Sequence, residues 1–162
     1  MSLCPVRWHE YVTDRQLAGQ TFLKRQFLNS MIPGFRFHHI GVSCRNIDKE
    51  IRSFALLGYE LEGERFSDPL QKIHGCFLVG PGPKLELLAP MDDSSPLLTW
   101  LQKGSKMYHQ AYEVDAIEPA LATMSKARAV IVSRPKPSVA FGGHKIAFLM
   151  LPNHLLLELI ES

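Results

Sequence analysis

Cysteine is scarce in this sequence of 162 residues, and its three cysteines, Cys4, Cys44 and Cys76, are scattered without a Cys-X-X-Cys spacing. An odd number of scattered cysteines argues against a disulfide framework and against a cysteine zinc site. No apolar stretch opens the sequence, and no apolar run reaches the length of a bilayer span. We therefore expect neither a secretory signal nor a membrane helix, and a reduced, cytoplasmic setting.

An excess of one charge is also missing. The 18 lysines and arginines nearly balance the 16 acidic residues, for a formal net charge of +2. No basic face is interleaved with aromatic residues, so nucleic-acid binding is not expected. Glycine-rich dinucleotide and phosphate motifs are absent, as is the Gly-X-Ser-X-Gly motif of hydrolases. With 46 % hydrophobic residues, the chain can build the core of one domain or of two small packed repeats.

An internal repeat, with an offset of about 70 residues, organises the rest of the chain. The segment FRFHHIGVSCRNIDKE is followed by a similar segment, YHQAYEVDAIEP, which places His39 on His109. Each copy is predicted to form a strand, an amphipathic helix and three more strands. Each copy also ends on a glutamate within an apolar strand, Glu86 in KLELLAP and Glu158 in LLLELIE.

The repeat predicts an α+β fold in which two tandem βαβββ modules form a curved mixed sheet around a cleft. Residues 35–90 are assigned to module 1 and residues 107–162 to module 2, joined by a connector with a short helix at 91–106. Residues 1–34 form an N-terminal extension, with an extra helix from about Asp14 to Ser30. Its apolar side is expected to pack on the domain or on a sister subunit, and a homodimer is expected.

Element boundaries follow from turn and capping residues. Helices are predicted to start at Asn46 or Asp48, near Pro96 with Ser94 or Ser95 as its cap, and at Ile117. Strands are predicted at 35–44, 59–66, 73–79, 84–88, 107–114, 129–133, 145–151 and 155–160.

Three further expectations concern single segments. The first helix is expected to carry Leu56 and Leu57 on its apolar side, and residues 134–144 to form a long loop. Strict alternation along the first strand places His39 on one side and His38 on the other.

Equivalent residues of two modules placed side by side converge near a pseudo-twofold axis. Two imidazoles and two carboxylates would then meet, which suits a divalent cation such as Zn, Mn, Co, Ni or Fe and leaves positions open for water or substrate. A single strand histidine or glutamate is more often an ordinary core or surface residue. Four of them at equivalent places in a repeat indicate a common metal site, formed by His39, Glu86, His109 and Glu158.

Other polar residues near the predicted cleft are weaker candidates. Gln71, His74 and His144 are candidate substrate contacts, although each is equally typical of a surface residue. The loop formed by Phe141, Gly142 and Gly143 precedes a strand, and its backbone could close over a ligand.

These motifs resemble the vicinal oxygen chelate superfamily, which includes glyoxalase I, methylmalonyl-CoA epimerase, extradiol dioxygenases and bleomycin resistance proteins. HHIGV, KLELLAP, YEVDAIEPAL, GGHKIAFL and LLLELIE are most similar to the epimerase-like branch in order and spacing, over about residues 35–161. The resemblance implies that the four residues above are ligands of a divalent metal cofactor. It also implies that a small-molecule substrate passes through an enolate or enediolate, with Glu158 as the candidate proton carrier.

One departure from that branch bears on the reaction. The epimerases place a glutamate in the third strand as one of two opposed bases, and Gly75 stands at that position here. The expected function is a divalent-metal-dependent lyase or isomerase of the glyoxalase or epimerase type, acting on a small oxygenated or thioester substrate. The alternative is a non-catalytic small-molecule-binding protein of the resistance type. A dioxygenase is ranked last, because a fourth ligand would fill the position that oxygen needs.

Overall fold

The same order of elements occurs twice along the chain. The computed structural model describes Ile32 and residues 34–162, so the predicted N-terminal helix and Cys4 lie outside the described residues. Module 1 consists of β1 (Arg36–Ser43), α1 (Ile47–Ala55), β2 (Glu60–Asp68), β3 (Ile73–Val79) and β4 (Leu85–Pro90). After the connector helix α2 (Leu97–Gln102), module 2 consists of β5 (Met107–Val114), α3 (Ile117–Lys126), β6 (Val130–Pro137), β7 (Lys145–Met150) and β8 (Leu156–Glu161).

All eight strands form one sheet in the order β2-β3-β4-β1-β5-β8-β7-β6. β1 pairs in parallel with β4, β5 pairs in parallel with β8, and β1 and β5 meet antiparallel at the centre. The first and last strands of each module are therefore the four innermost strands. This topology confirms the predicted α+β fold of two βαβββ modules.

Helix α1 covers the outer face of module 1. Asn46 caps it, since the side-chain oxygen accepts a hydrogen bond from the Lys49 amide at 2.9 Å. Ile51 and Phe54 pack on a buried cluster of strand residues, Val42, Cys76, Leu78, Leu85 and Leu87. The expectation that Leu56 and Leu57 join this side is wrong. They are 87 % and 62 % exposed, because the helix ends at Ala55 before reaching them.

Helix α3 covers the outer face of module 2 in the same way. Ile117, Ala120 and Leu121 are buried against strand residues that include Val114 and Leu159. Its first residue has no local side-chain cap. Instead the Glu161 carboxylate accepts a hydrogen bond from the Ile117 amide at 3.1 Å, which ties the helix to the end of β8.

Two segments differ from the sequence prediction. Residues 134–137 continue strand β6 rather than forming a loop, with register shifts against β7 on either side of Ser133. Proline is tolerated there because β6 lies at the edge of the sheet. Helix α2 also lacks the expected serine cap, since Pro96 is its N-cap and no side chain caps it.

The connector helix closes one end of the inner face. Leu97 is fully buried with Ile73 and Leu88, and Trp100 packs against a cluster of module 2 that includes Ile146 and Phe148. Within the part of the chain that the structure describes, no helix is long and apolar enough to cross a bilayer. Helix α2 therefore packs against strands of both modules on the inner face.

Candidate metal centre

Each of the four central strands places one ionisable side chain in the cleft. His39 comes from β1, Glu86 from β4, His109 from β5 and Glu158 from β8, and none is more than 3 % exposed. We call these four residues the quartet. The pairing register brings them together, because Gly41 lies beside both Glu86 and His109, while Ala111 lies beside both His39 and Glu158.

The donor atoms of the quartet face one another. His39 Nε2 lies 3.0 Å from His109 Nε2, 3.1 Å from Glu86 Oε2 and 3.4 Å from Glu158 Oε2. His109 Nε2 lies 3.5 Å from Glu86 Oε2 and 3.3 Å from Glu158 Oε2. Ligand atoms about 2.1 Å from one ion are about 3.0 Å apart at a right angle and about 3.4 Å apart at the tetrahedral angle. The separations therefore match a shared ion.

The chemistry of the donor set also fits a cation. Two buried carboxylates contact two imidazoles, and the ion pairs of the described residues bring no lysine or arginine to them. Glu158 Oε2 and His109 Nδ1 are buried without a hydrogen-bond partner among those residues. Buried charge is costly unless it is paired or binds a metal. The quartet is thus a possible site for a divalent ion.

Burial shifts the acid–base behaviour of all four groups. Loss of water raises the pKa of Glu86 to about 7, and burial together with the Glu86 charge raises the pKa of Glu158 to about 8. Burial lowers the pKa of His109 to about 4 and holds that of His39 well below its usual range. At neutral pH both imidazoles keep a free lone pair, which is the form that binds metals.

Glycine at position 41 makes room for one of the imidazoles. A Cβ added to Gly41 would lie 2.6 Å from Nε2 of His109 and even closer to other ring atoms. Such distances are too short for any real contact. The His109 ring is itself buried and has little room to move away. The His109 ring can keep its place only if residue 41 has no side chain.

The position at which the resemblance implies a second base is filled by an aromatic ring. Gly75 of β3 pairs with Phe66 of β2. A Cβ added to Gly75 would lie 2.8 Å from Cε2 of Phe66, and that ring in turn contacts Phe77 at 5.8 Å between centroids. This part of the wall is therefore apolar and carries no carboxylate.

His38 belongs to the surroundings of the quartet, which the sequence analysis missed. Phe37 pairs with Tyr112 and His39 with Ala111, so His38 is an extra residue in β1 with no partner across the pair. Such a bulge breaks the alternation of side chains. The prediction that His38 lies on the far side of the strand from His39 is wrong, because His38 contacts the same two rings as His39, Phe77 and Phe141.

A hydrogen bond joins the two neighbouring histidines. Nδ1 of His38 lies 2.7 Å from Nδ1 of His39. In the tautomer that binds a metal through Nε2, His39 carries its proton on Nδ1 and donates it to His38. Ligand histidines are commonly oriented by such a bond on the second ring nitrogen. The pair of adjacent histidines in HHIGV was the only sequence signal for this contact.

The predicted substrate contacts divide into two groups. Gln71 lines a cavity of roughly 20 Å³ beside Glu86, His109 and Glu158, which has room for about one water molecule. His74 is not brought to the quartet. It is exposed, and its Nδ1 lies 2.7 Å from Ser67 Oγ. Its neighbour on β3, Ile73, faces inward, so the side chain of His74 lies on the other face of the sheet.

The loop before β7 reaches the quartet through a side chain rather than through its backbone. The Phe141 ring stacks on His39 with centroids 6.0 Å apart and planes 26° apart. Gly142 and Gly143 lie on the exposed side of the turn with φ of 62° and 93°. His144 is exposed as well, with Nδ1 3.0 Å from the Glu161 carbonyl oxygen.

Comparison with known proteins finds a matching family model and several relatives of similar sequence. Residues 38–148 match the model of the glyoxalase/bleomycin resistance protein/dioxygenase superfamily. An ethylmalonyl-CoA/methylmalonyl-CoA epimerase of Cereibacter sphaeroides is 26 % identical over 117 residues, which cover 70 % of this chain and 87 % of that protein. The mitochondrial methylmalonyl-CoA epimerase of Dictyostelium discoideum is 28 % identical over 135 residues, 78 % of each chain.

A solved structure shows the same fold. The methylmalonyl-CoA epimerase of Mycobacterium tuberculosis superimposes with a TM-score of 0.69 at 22 % identity, covering 82 % of this chain and 91 % of that one. The likeness extends over both modules, so the pairing of the two βαβββ units is shared with that structure.

Proposed function

This chain belongs to the glyoxalase/bleomycin resistance protein/dioxygenase superfamily, and we propose that it is a divalent-metal-dependent isomerase or lyase. Its substrate is a small oxygenated compound or thioester that loses a proton next to a carbonyl group. The observation that carries this proposal is the buried quartet, whose donor atoms all lie within 4.8 Å of one another. The epimerase names of its relatives support an isomerase-type activity.

The quartet would hold the metal through His39, Glu86, His109 and Glu158. A divalent ion bound there, with Zn, Co, Mn, Ni and Fe as candidates, would supply positive charge where the oxyanion of an enolate or enediolate develops. The two carboxylates balance the charge of such an ion, so that the site as a whole is not left with buried net charge.

Glu158 is the residue that we propose moves the substrate proton. Its Oε2 has no hydrogen-bond partner among the described residues, and its side chain lines the small cavity with Gln71 and Tyr108. A ligand carboxylate that leaves the metal can accept a proton as a base and return it as an acid.

The apolar wall at Phe66 and Gly75 argues for proton transfer on one side only. Inversion of a carbon centre by two opposed bases needs a second acceptor, and the phenyl ring fills the place where the resemblance puts one. We therefore propose that one group removes the proton and returns it to the neighbouring carbon of the enediolate, or that a leaving group on the adjacent carbon departs after the proton is removed.

The same observation favours a second candidate function, a non-catalytic protein that binds a small molecule in the cleft. Such a protein keeps the fold and the cavity but needs no proton carrier. A small-molecule partner is common to both functions. A homodimer and a cytoplasmic setting remain predictions of the sequence.

Metal analysis tests the proposal. The wild type, purified without chelator and incubated with each of the five ions in turn, is expected to retain about one ion per chain. His39→Ala and Glu158→Ala are expected to retain none, whereas the matched control His74→Ala, on the other face of the sheet, retains the ion. A wild type that binds none of the five would refute metal dependence.

Deuterium exchange separates the enzyme from the binding protein. Wild type in D₂O is expected to exchange the α-proton of a thioester or hemithioacetal that it binds. Glu158→Gln, whose amide oxygen can still contact the ion, is expected to lose at least 100-fold in exchange rate when the metal concentration is high enough to saturate its weakened site. Binding of such compounds without any exchange would leave only the binding function.

A further inference from the structure

A buried carboxylate outside the quartet joins the two modules. Asp68, the last residue of β2, is fully buried. Its Oδ1 accepts a hydrogen bond from the Gln71 amide at 3.1 Å. Its Oδ2 accepts from Gln71 Nε2 at 3.1 Å, Val139 N at 3.2 Å and Ser138 Oγ at 3.5 Å. The oxygens of this buried side chain thus accept from neutral donors of both modules, two on each side.

Two of those donors belong to Ser138 and Val139, the first residues of the segment that carries Phe141 to the quartet. We call residues 138–143, between β6 and β7, the strap. Two backbone hydrogen bonds join the two ends of the strap, from Ser138 N to the His144 carbonyl at 3.1 Å and from Gly143 N to the Ser138 carbonyl at 2.9 Å. A Cβ added to Gly142 or Gly143 would meet nothing within 4 Å. The glycines therefore serve the left-handed backbone of the turn rather than its packing.

The strap carries Phe141 to the quartet. The ring contacts His39, and it also contacts Phe77, at 5.9 Å between centroids. Phe141, Phe77 and His38 line an outer cavity of about 480 Å³, which also includes Lys84. The inner cavity at the quartet measures only about 20 Å³. The ring of Phe141 thus lines the outer cavity on one side and stacks on His39 of the quartet on the other.

We infer that Asp68 is a positioning residue that latches the strap, so that Phe141 covers the quartet, and that a ligand enters from the outer cavity when this ring moves aside. The latch also fixes Gln71, whose amide binds the same carboxylate oxygen and which lines the inner cavity. Release of the strap would therefore free one wall residue of the inner cavity together with the ring that stacks on His39. The inference rests on the proposed function only for the identity of the ligand.

Hydrogen exchange of the full chain, without metal or substrate, tests the latch. In Asp68→Asn the side-chain NH₂ would face other donors, and exchange in peptides covering 138–144 is expected to rise at least tenfold, with β1 and β4 unchanged. Asp92→Asn is the matched control, because exposed Asp92 accepts from the backbone and hydroxyl of Ser94 but does not contact the strap. Unchanged exchange in the strap, or an equal rise throughout the sheet, would overturn the latch.

Modification of histidine by diethyl pyrocarbonate, followed by mass spectrometry, tests the cover. Phe141→Ala keeps the latch but removes the ring, and it is expected to raise the modification rate of His39 at least fivefold. Asp68→Asn is expected to do the same, while exposed His74 reacts at its wild-type rate in every variant. An unchanged His39 rate in Phe141→Ala would show that the ring is not the cover. Neither measurement uses a metal, so failure of the proposed function would be seen separately, as absent metal binding.

Discussion

The two modules supply identical donors to the quartet but support them differently. Position 41 in module 1 is glycine and its equivalent in module 2, 70 residues later, is Ala111. Gly41 leaves its space to the His109 ring of the other module. Ala111 is fully buried beside His39, and its own methyl group occupies the equivalent space. The quartet is therefore symmetric in its ligands and asymmetric in its packing.

The same contrast recurs in the outer strand pair of each module. Phe66 pairs with Gly75 in module 1, and Lys136 pairs with Ile146 at the equivalent place in module 2. The large apolar side chain has moved from one strand of the pair to the other. In module 1 the space over Gly75 is filled by the ring of Phe66, which comes from the neighbouring strand. In module 2 the equivalent residue, Ile146, is fully buried and fills that space with its own side chain. Equivalent substitutions in the two modules should therefore have unequal effects.

The largest difference is expected between Gly41→Ala and Ala111→Gly. The added methyl group at position 41 displaces the His109 ring, which is expected to weaken metal binding at least 100-fold and to cost about 3 kcal/mol of stability. Ala111→Gly removes a methyl group and adds chain entropy, at about 1 kcal/mol, with metal affinity within a few-fold of wild type. Metal titration and chemical denaturation measure both effects. Equal losses in the two variants would remove the asymmetry.

The next difference concerns the outer strand pairs. Phe66→Ala leaves the space above Gly75 empty and is expected to cost about 2 kcal/mol, less than for a fully buried phenylalanine because the ring is partly exposed. Lys136→Ala, at the equivalent position, is expected to stay within about 0.5 kcal/mol of wild type. Urea denaturation compares them. The double variant Phe66→Ala/Gly75→Leu is expected to recover part of the loss, and its failure to do so would contradict the idea of a filled wall.

The pH dependence of the metal-free protein tests the feature that the modules share. The raised pKa values of Glu86 and Glu158, about 7 and about 8, mean that the folded chain keeps protons that the unfolded chain has released above about pH 4.5. Their contribution to stability is therefore lost as the pH rises. The lowered pKa values of His39 and His109 act in the opposite direction, but only below about pH 6.5.

A net fall of about 2 kcal/mol is therefore expected between pH 6.5 and 8 in the metal-free chain. Bound metal keeps both carboxylates ionised and should abolish the fall. Glu158→Gln is expected to remove more of the fall than Glu86→Gln, because the pKa of Glu158 is the higher of the two. Denaturation at several pH values, with and without metal, measures this. A metal-free stability that is flat above pH 6.5 would contradict the burial of two carboxyl groups.

The smallest difference is expected at the residues before the two histidines. His38 bonds to Nδ1 of His39, whereas Nδ1 of His109 has no partner among the described residues, with Tyr108 at the equivalent place. His38→Leu is expected to weaken metal binding about tenfold, and His38→Asn, which keeps an acceptor, to recover part of it. Tyr108→Phe should stay within threefold of wild type. Titration with Co²⁺, followed by its visible absorption, reports both affinity and ligand geometry.

Much of this structure follows from the repeat in the sequence. The offset of about 70 residues predicted the modules, the four inner strands and the residues of the quartet before any pairing was known. Elements with a strong period and clear turn residues follow the prediction, since β3 and β5 have the predicted bounds and α3 begins at the predicted residue. Family membership was likewise predicted from the motifs HHIGV and LLLELIE and is confirmed.

Other features depend on which residue lies across a strand pair. The bulge at His38, the ring of Phe66 over Gly75 and the bonds of Asp68 to the strap all join residues that are distant in sequence or break the local period. Strand β6 also runs beyond its predicted end, because at an edge the partner β7, rather than local propensity, sets the pairing.

The sequence by itself determined that two copies of one unit would bring two imidazoles and two carboxylates together, because duplication fixes equivalent positions whatever the details of packing. Only the tertiary structure decided how those four groups are supported and covered. Register, bulges and the filling of a glycine's space are settled by contacts between strands, and a one-dimensional pattern does not specify those contacts.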